Sequence, residues 1–111
     1  MRQLPSVETL QQAVREVIES NKRDGYVPTR FIQVTEDGNA AGLLSVCEGL
    51  ITKGETLEWL DSALRRHPNL LTLEDFVARL GEAWGMSDAT IQAAKARVTY
   101  FDRLAGAPRL E

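Results

Sequence analysis

The chain has 111 residues, 43% of them hydrophobic and 26% charged, which is enough apolar material for one modest core and a length that ordinarily makes one domain. Thirteen basic residues against sixteen acidic ones leave a formal net charge of -3, and neither half of the chain is basic, so there is no cationic surplus to hold phosphate backbones non-specifically. Without a long uncharged apolar run, or a basic segment leading to a small-residue cleavage site, neither a membrane span nor a secretion signal is expected, and the cytoplasm is the expected location. Cys47 is the only cysteine and His67 the only histidine, so no internal disulfide can form and the soft ligands for a structural zinc are too few.

In chain order, Ser6 is placed to cap a helix in which Val7, Leu10, Ala13, Val14, Val17 and Ile18 recur at helical spacing, with Lys22 and Arg23 at its negative end and Gly25 as a left-handed stop. The next stretch, YVPTRFIQVTEDG, reads two ways. Phe31, Ile32, Val34 and Thr35 have strand propensity, whereas Pro28 suits the start of a short helix over residues 28–37 that Gly38 would end. The helix is preferred, because a lone strand would leave its backbone groups unpaired and no second convincing strand exists to pair with it.

Asn39 then caps a third helix with the stripe Leu43, Leu44, Cys47, Leu50 and Ile51. Gly42 and Gly49 lie nearly on one side of it, which predicts that another helix approaches closely there. After Gly54 a fourth helix carries Leu57, Leu60, Ala63 and Leu64, with acids early, Arg65 and Arg66 late, and Pro68 as its limit. Thr72 and Asp75 form a capping-box pattern opening a fifth helix, whose inward residues are Leu73, Phe76, Val77, Leu80 and Trp84 before Gly85 closes it. Ser87 caps the last helix, on which Ile91, Ala94, Val98, Phe101 and Ala105 share a face. The expected architecture is all-α: a compact bundle of about six short helices over residues 1–109, the last two arranged like a helix-turn-helix. Leu110 and Glu111 match the Leu-Glu pair that often precedes a purification tag and are set apart from the fold.

The last helix pair, residues 73–104, raises the question of DNA. Gly81, Gly85 and Ile91 are spaced as in two helices that cross closely through a tight turn, and the face opposite Ile91 and Val98 carries Asp88, Gln92, Lys95, Thr99 and Arg103. Gln92 could read adenine and Lys95 guanine or phosphate, but Asp88 stands where the first phosphate contact would form. The local surplus of a single positive charge also supplies little of the electrostatic attraction that DNA binders use.

Catalytic chemistry has less to stand on. Cys47 lies on an apolar stripe and reads as a small buried hydrophobe, while His67 before Pro68 reads as a helix-end residue rather than the base of a thiol pair. Glu36 and Asp37 lack the spaced oxygens of a calcium loop and read as a solvated turn, and no phosphate-cradling glycine pattern is present. No catalytic residue, metal or cofactor is expected.

YVPTRF resembles the opening of a bacterial helical module of no assigned function that begins Tyr, one residue, then Pro-Thr-Arg-Phe. Gly38, Ala40 or Ala41, Leu43 with Leu44, then Leu71, Leu73 and Glu74, and finally Ala94, Arg97 and Phe101 are similar to its later positions, over about residues 25–104. Ile32, Val98, Asp102 and Arg103 depart from it. The resemblance implies an all-helical fold and Pro28 as a helix start, and carries no activity. In the residues themselves, Phe31 is a core anchor and Arg30 can reach a carboxylate or a helix end, while Tyr26, Arg30 and an off-stripe Trp59 are of the types enriched at binding hot spots. The expectation is therefore a non-catalytic helical domain that binds another protein or a second copy of itself through Tyr26, Arg30 and Trp59. The alternative is a helix-turn-helix regulator contacting DNA through Gln92, Lys95, Thr99 and Arg103.

Overall fold

In the computed structural model six helices among the described residues, α1 (Leu10–Arg23), α2 (Thr29–Glu36), α3 (Leu43–Thr52), α4 (Glu55–Arg66), α5 (Leu73–Leu80) and α6 (Asp88–Ala105), fold into one bundle. The structure describes residues 3–36 and 42–110, and the side chains of residues 55–58 fall outside that description. Its Cα radius of gyration, 12.7 Å, matches the roughly 13 Å of a folded domain near this length. No strand occurs among the described residues, and no described helix is long and apolar enough to cross a membrane.

The first cap differs from expectation. Thr9, not Ser6, opens α1, because Thr9 and Gln12 form a reciprocal box: Thr9 Oγ1 accepts from Gln12 N at 3.1 Å, and Gln12 Oε1 accepts from the backbone N–H of Glu8 and of Thr9 at 2.7 and 3.3 Å. Ser6 has only Thr9 three residues on and cannot close such a pair, so residues 3–8 run as a non-helical strap whose Leu4 and Val7 pack on the core. At the other end Gly25 adopts φ +88°, with Gly25 N donating to Lys22 O and Tyr26 N to Asn21 O at 2.8 Å. This double turn satisfies the last carbonyls of α1 and sets where Tyr26 emerges.

The ambiguous segment is helical. Ile32 N donates to Pro28 O, Phe31 and Thr35 are buried, and the Thr35 hydroxyl donates back to Phe31 O at 2.7 Å. The strand-prone side chains here are overruled by burial of one helical face. Gly38 and Asn39, expected as its end and as the next cap, lie outside the described residues, as do the Ala40 and Ala41 of the resemblance. Helix α3 buries Leu43, Cys47, Leu50 and Ile51, as its stripe predicts, but the glycine pair does not mark a crossing. Gly42 stands at the N-cap, and a Cβ on Gly49 would meet nothing within 4 Å.

The close approach occurs at Gly81, where an added Cβ would come within 3.1 Å of both Ile91 Cγ1 and Val77 Cγ1. Here α5 and α6 make the most extensive helix pair of the bundle. Helix α5 is shorter than its pattern suggests: it ends at Leu80, and Trp84 falls in the following turns, half-buried, its indole donating to Glu8 O at 3.1 Å. Ser87 caps α6 as expected, accepting from Thr90 N. Of its inward face, Ala94 and Phe101 are fully buried and Ile91, Val98 and Ala105 partly so.

One feature was not anticipated. Beyond α6 the chain turns at Gly106 (φ +84°) and inserts Arg109 beneath the start of α5. Its guanidinium meets Asp75 at 2.7 and 3.1 Å, Asp102 at 2.9 Å and Leu70 O at 2.6 Å, with 4% of Arg109 exposed. The same Asp75 carboxylate accepts from Thr72 N and Oγ1 within the capping box. Leu110, set apart on the sequence, is buried in the main core cluster.

Arg109→Ala leaves the Asp75 carboxylate buried without its main counter-charge and is expected to cost about 3–5 kcal/mol in urea unfolding, with Arg109→Lys recovering only part because it cannot form the two-pronged contact. Gly81→Ala is expected to cost about 1–3 kcal/mol, because the added Cβ would meet the Val77 backbone oxygen at 2.6 Å as well as Ile91 of α6 at 3.1 Å. Wild-type midpoints in either variant would contradict these assignments.

Candidate functional site

The three residues singled out for binding come together. Tyr26, Arg30 and Trp59 line one pocket of about 290 Å³ between the α1–α2 turn, α4 and the start of α5. The double turn at Gly25 presents Tyr26, half-buried, with its ring 6.2 Å from that of His67. Pro28 is buried and starts α2, which carries Arg30 outward and Phe31 inward. The Arg30 guanidinium carbon lies 5.7 Å from the centre of the Trp59 ring, a cation–π contact that holds both at the rim. Val27, beside them, is 59% exposed, the most exposed large hydrophobic residue described. Below the rim the walls are apolar, from Val17, Phe31, Leu60 and Leu71.

Three buried polar residues outside the expected site set, Asn21, Thr72 and Glu74, also line this pocket. The signal for Asn21 was present: it stands four residues after Val17, where the α1 stripe should continue. Glu74 is 0% exposed, and its carboxylate lies 3.9 Å from Arg97. A first-turn acid is favourable at the positive end of α5, which helps keep it there.

The second candidate surface is the outer face of α6, where Gln92, Lys95, Thr99 and Arg103 are all exposed and the Thr99 hydroxyl donates to Lys95 O. The N-terminus of this helix is already occupied. Glu48 of α3 accepts from Ser87 N at 2.7 Å and from Thr90 Oγ1 at 3.2 Å, and Asp88 stands beside them. Arg97 points inward to Leu50 O and Glu74, so it does not join the outer row. Asp102 is engaged by Arg109.

Cys47 is fully buried in the main cluster, and its thiol is pushed up to about 12 by burial first and the Glu74 carboxylate second, the opposite of an activated nucleophile. His67 stands by Tyr26 at the end of α4. No group of three or more acidic, His or Cys side chains able to hold a metal occurs among the described residues. Asp37 and Gly38 lie outside the description.

Comparison with protein-family models, with curated proteins and with solved structures returned no match.

The raised Cys47 thiol has a consequence at high pH. Between pH 9 and about 12 the unfolded chain loses this proton while the folded chain retains it, so folding stability falls as pH rises through that window. Each unit of difference corresponds to about 1.4 kcal/mol. Chemical unfolding at several pH values should show a steeper alkaline decline for wild type than for Cys47→Ala; parallel profiles would contradict the buried, unactivated thiol.

Proposed function

We propose that this chain is a non-catalytic helical interaction domain that binds a protein partner, or a second copy of itself, through the pocket rimmed by Tyr26, Arg30 and Trp59. The observation that carries this reading is the convergence of those residues, with exposed Val27, on the mouth of a single apolar pocket. Aromatic and arginine residues around a concave apolar patch are the usual composition of an interface centre. Rim residues held by one another need little reordering on binding, which lowers the cost of association. A buried, protonated Cys47 supports the non-catalytic part, and a lone reduced thiol is compatible with the cytoplasm we assign to it.

A DNA-binding regulator remains the alternative, supported by the exposed row Gln92, Lys95, Thr99 and Arg103. Against it, the outer face brings two cations, Lys95 and Arg103, beside Asp88 and Asp102, and a carboxylate already caps α6 where phosphate contacts would begin.

Selection from a displayed random-peptide library tests the first reading. Enriched peptides should lose at least tenfold in affinity for a Tyr26→Ala, Trp59→Ala chain whose melting temperature stays near wild type, and binding indifferent to both changes would refute the pocket as the interface. Sedimentation over a wide concentration range separates a foreign partner from self-association. Titration with mixed-sequence DNA at low salt should give no shift at micromolar protein, whereas salt-sensitive binding abolished by Lys95→Glu would put the regulator in its place.

A further inference from the structure

Arg30 is expected on sequence to reach a carboxylate or a helix end, and the structure gives it neither. Arg23, Arg65, Arg97 and Arg109 each meet an acid of the chain, Glu16, Asp61, Glu74 and Asp75 in turn. The Arg30 guanidinium, on an exposed residue, makes no hydrogen bond or ion pair among the described residues, and what holds it is the Trp59 ring at 5.7 Å. A cation–π contact uses none of the five N–H donors of a guanidinium. The result is a cation braced against an aromatic ring at the mouth of an apolar pocket, with its donors unused.

The rest of the pocket restricts the partner. Val17, Phe31, Leu60 and Leu71 offer apolar walls and the exposed Val27 extends them outward, so the occupant has to bring a large apolar side chain. Its charge has to stay outside. Glu74, the other charged residue described in the lining, is fully buried and faces Arg97 at 3.9 Å; an acid carried deep would meet a like charge and lose its water, whereas one at the mouth meets Arg30. Beyond Tyr26 and His67, Asp24 and Arg66 line a neighbouring depression with charges of both signs, which adds no net preference. A single arginine also matches a carboxylate better than a phosphate, because phosphate-reading sites gather several arginines around nearly two charges.

We infer that the pocket takes a short acidic segment of a partner protein, one large apolar side chain filling it while an adjoining Asp or Glu pairs with Arg30 at the mouth. This rests on the interaction reading above and adds the chemistry of the partner. Guanidinium and carboxylate match as a planar fork, and an arginine already held against an indole loses less freedom on pairing. The contact is a rim charge, so it steers and selects more than it tightens.

The test uses peptides from the library selection, displayed with no free C-terminus so that a terminal carboxylate cannot stand in for a side chain. Peptides that depend on Tyr26 and Trp59 should carry Asp or Glu within about two positions of a large apolar residue. Synthesised with both ends blocked, a peptide whose acid is changed to the matching amide should bind wild type roughly three- to tenfold more weakly at low salt, and the gap should close as salt is raised. Arg30→Gln should bring acid and amide peptides to equal affinity, and Arg30→Glu should reverse the order in favour of a peptide with Lys in the acid's place. Arg30 is exposed, so both variants should melt near wild type; should either fail to fold, the peptide pair on wild type still decides. Selected peptides without that acid, equal affinity of acid and amide peptides for wild type, or a gap that survives Arg30→Gln overturns the inference. Where such peptides still depend on Trp59, the interaction reading stands. Peptides indifferent to Tyr26→Ala and Trp59→Ala, or no binding peptide at all, overturn both.

Discussion

The contact between Arg109 and Asp75 organises the centre of this molecule. Residues 70 to 77 are all buried, an unusual condition for a stretch that contains a threonine and two acids, and Thr72 and Asp75 within it are met by hydrogen bonds and by Arg109. Asp75 serves two masters: it closes the capping box with Thr72 and receives the guanidinium fork of Arg109, which also reaches Leu70 O and Asp102. Such a buried pair adds little net stability over apolar packing, because desolvation consumes most of the attraction. Its effect is positional, holding the start of α5 at one place and angle, and Leu71, Thr72, Leu73 and Glu74 in that same segment form one wall of the pocket.

The opposite wall is set by different physics. A left-handed glycine after α1 turns the chain so that Tyr26 emerges beside His67, and Pro28 then starts α2 with Phe31 inward and Arg30 outward. Arg30 lies over Trp59, joining the α2 side of the rim to α4. The pocket is therefore a seam between two units that are each locally determined, the α1–α2 corner and the clasped start of α5.

The last two helices illustrate how one pattern serves two readings. Gly81, Ser87 and Ile91 do bring α5 and α6 into close contact, as their spacing suggests. The spacing alone does not distinguish a groove reader from a packed pair. Glu48 occupies the positive end of α6 and Arg97 turns inward, so the residues that would supply attraction to a phosphate backbone are partly spent inside the protein.

Much of the fold was legible without coordinates because helices are governed by local rules. Apolar spacing, the Thr72 and Ser87 caps, and the stops at Gly25 and Gly54 depend on residues a few positions apart, and these place the helices to within a turn except at the end of α5, which falls four residues short of Trp84. Local competition accounts for the Thr9 cap displacing Ser6, where the better-paired oxygen won. Tyr26, Arg30 and Trp59 could be picked by residue type, but their meeting at one pocket could not. Nor could the roles of Glu48 and Arg109, whose partners come from segments up to about forty residues away. Periodicity reports which side of a helix is wet. Only the three-dimensional arrangement decides which buried polar atom finds a partner and which is left waiting for one.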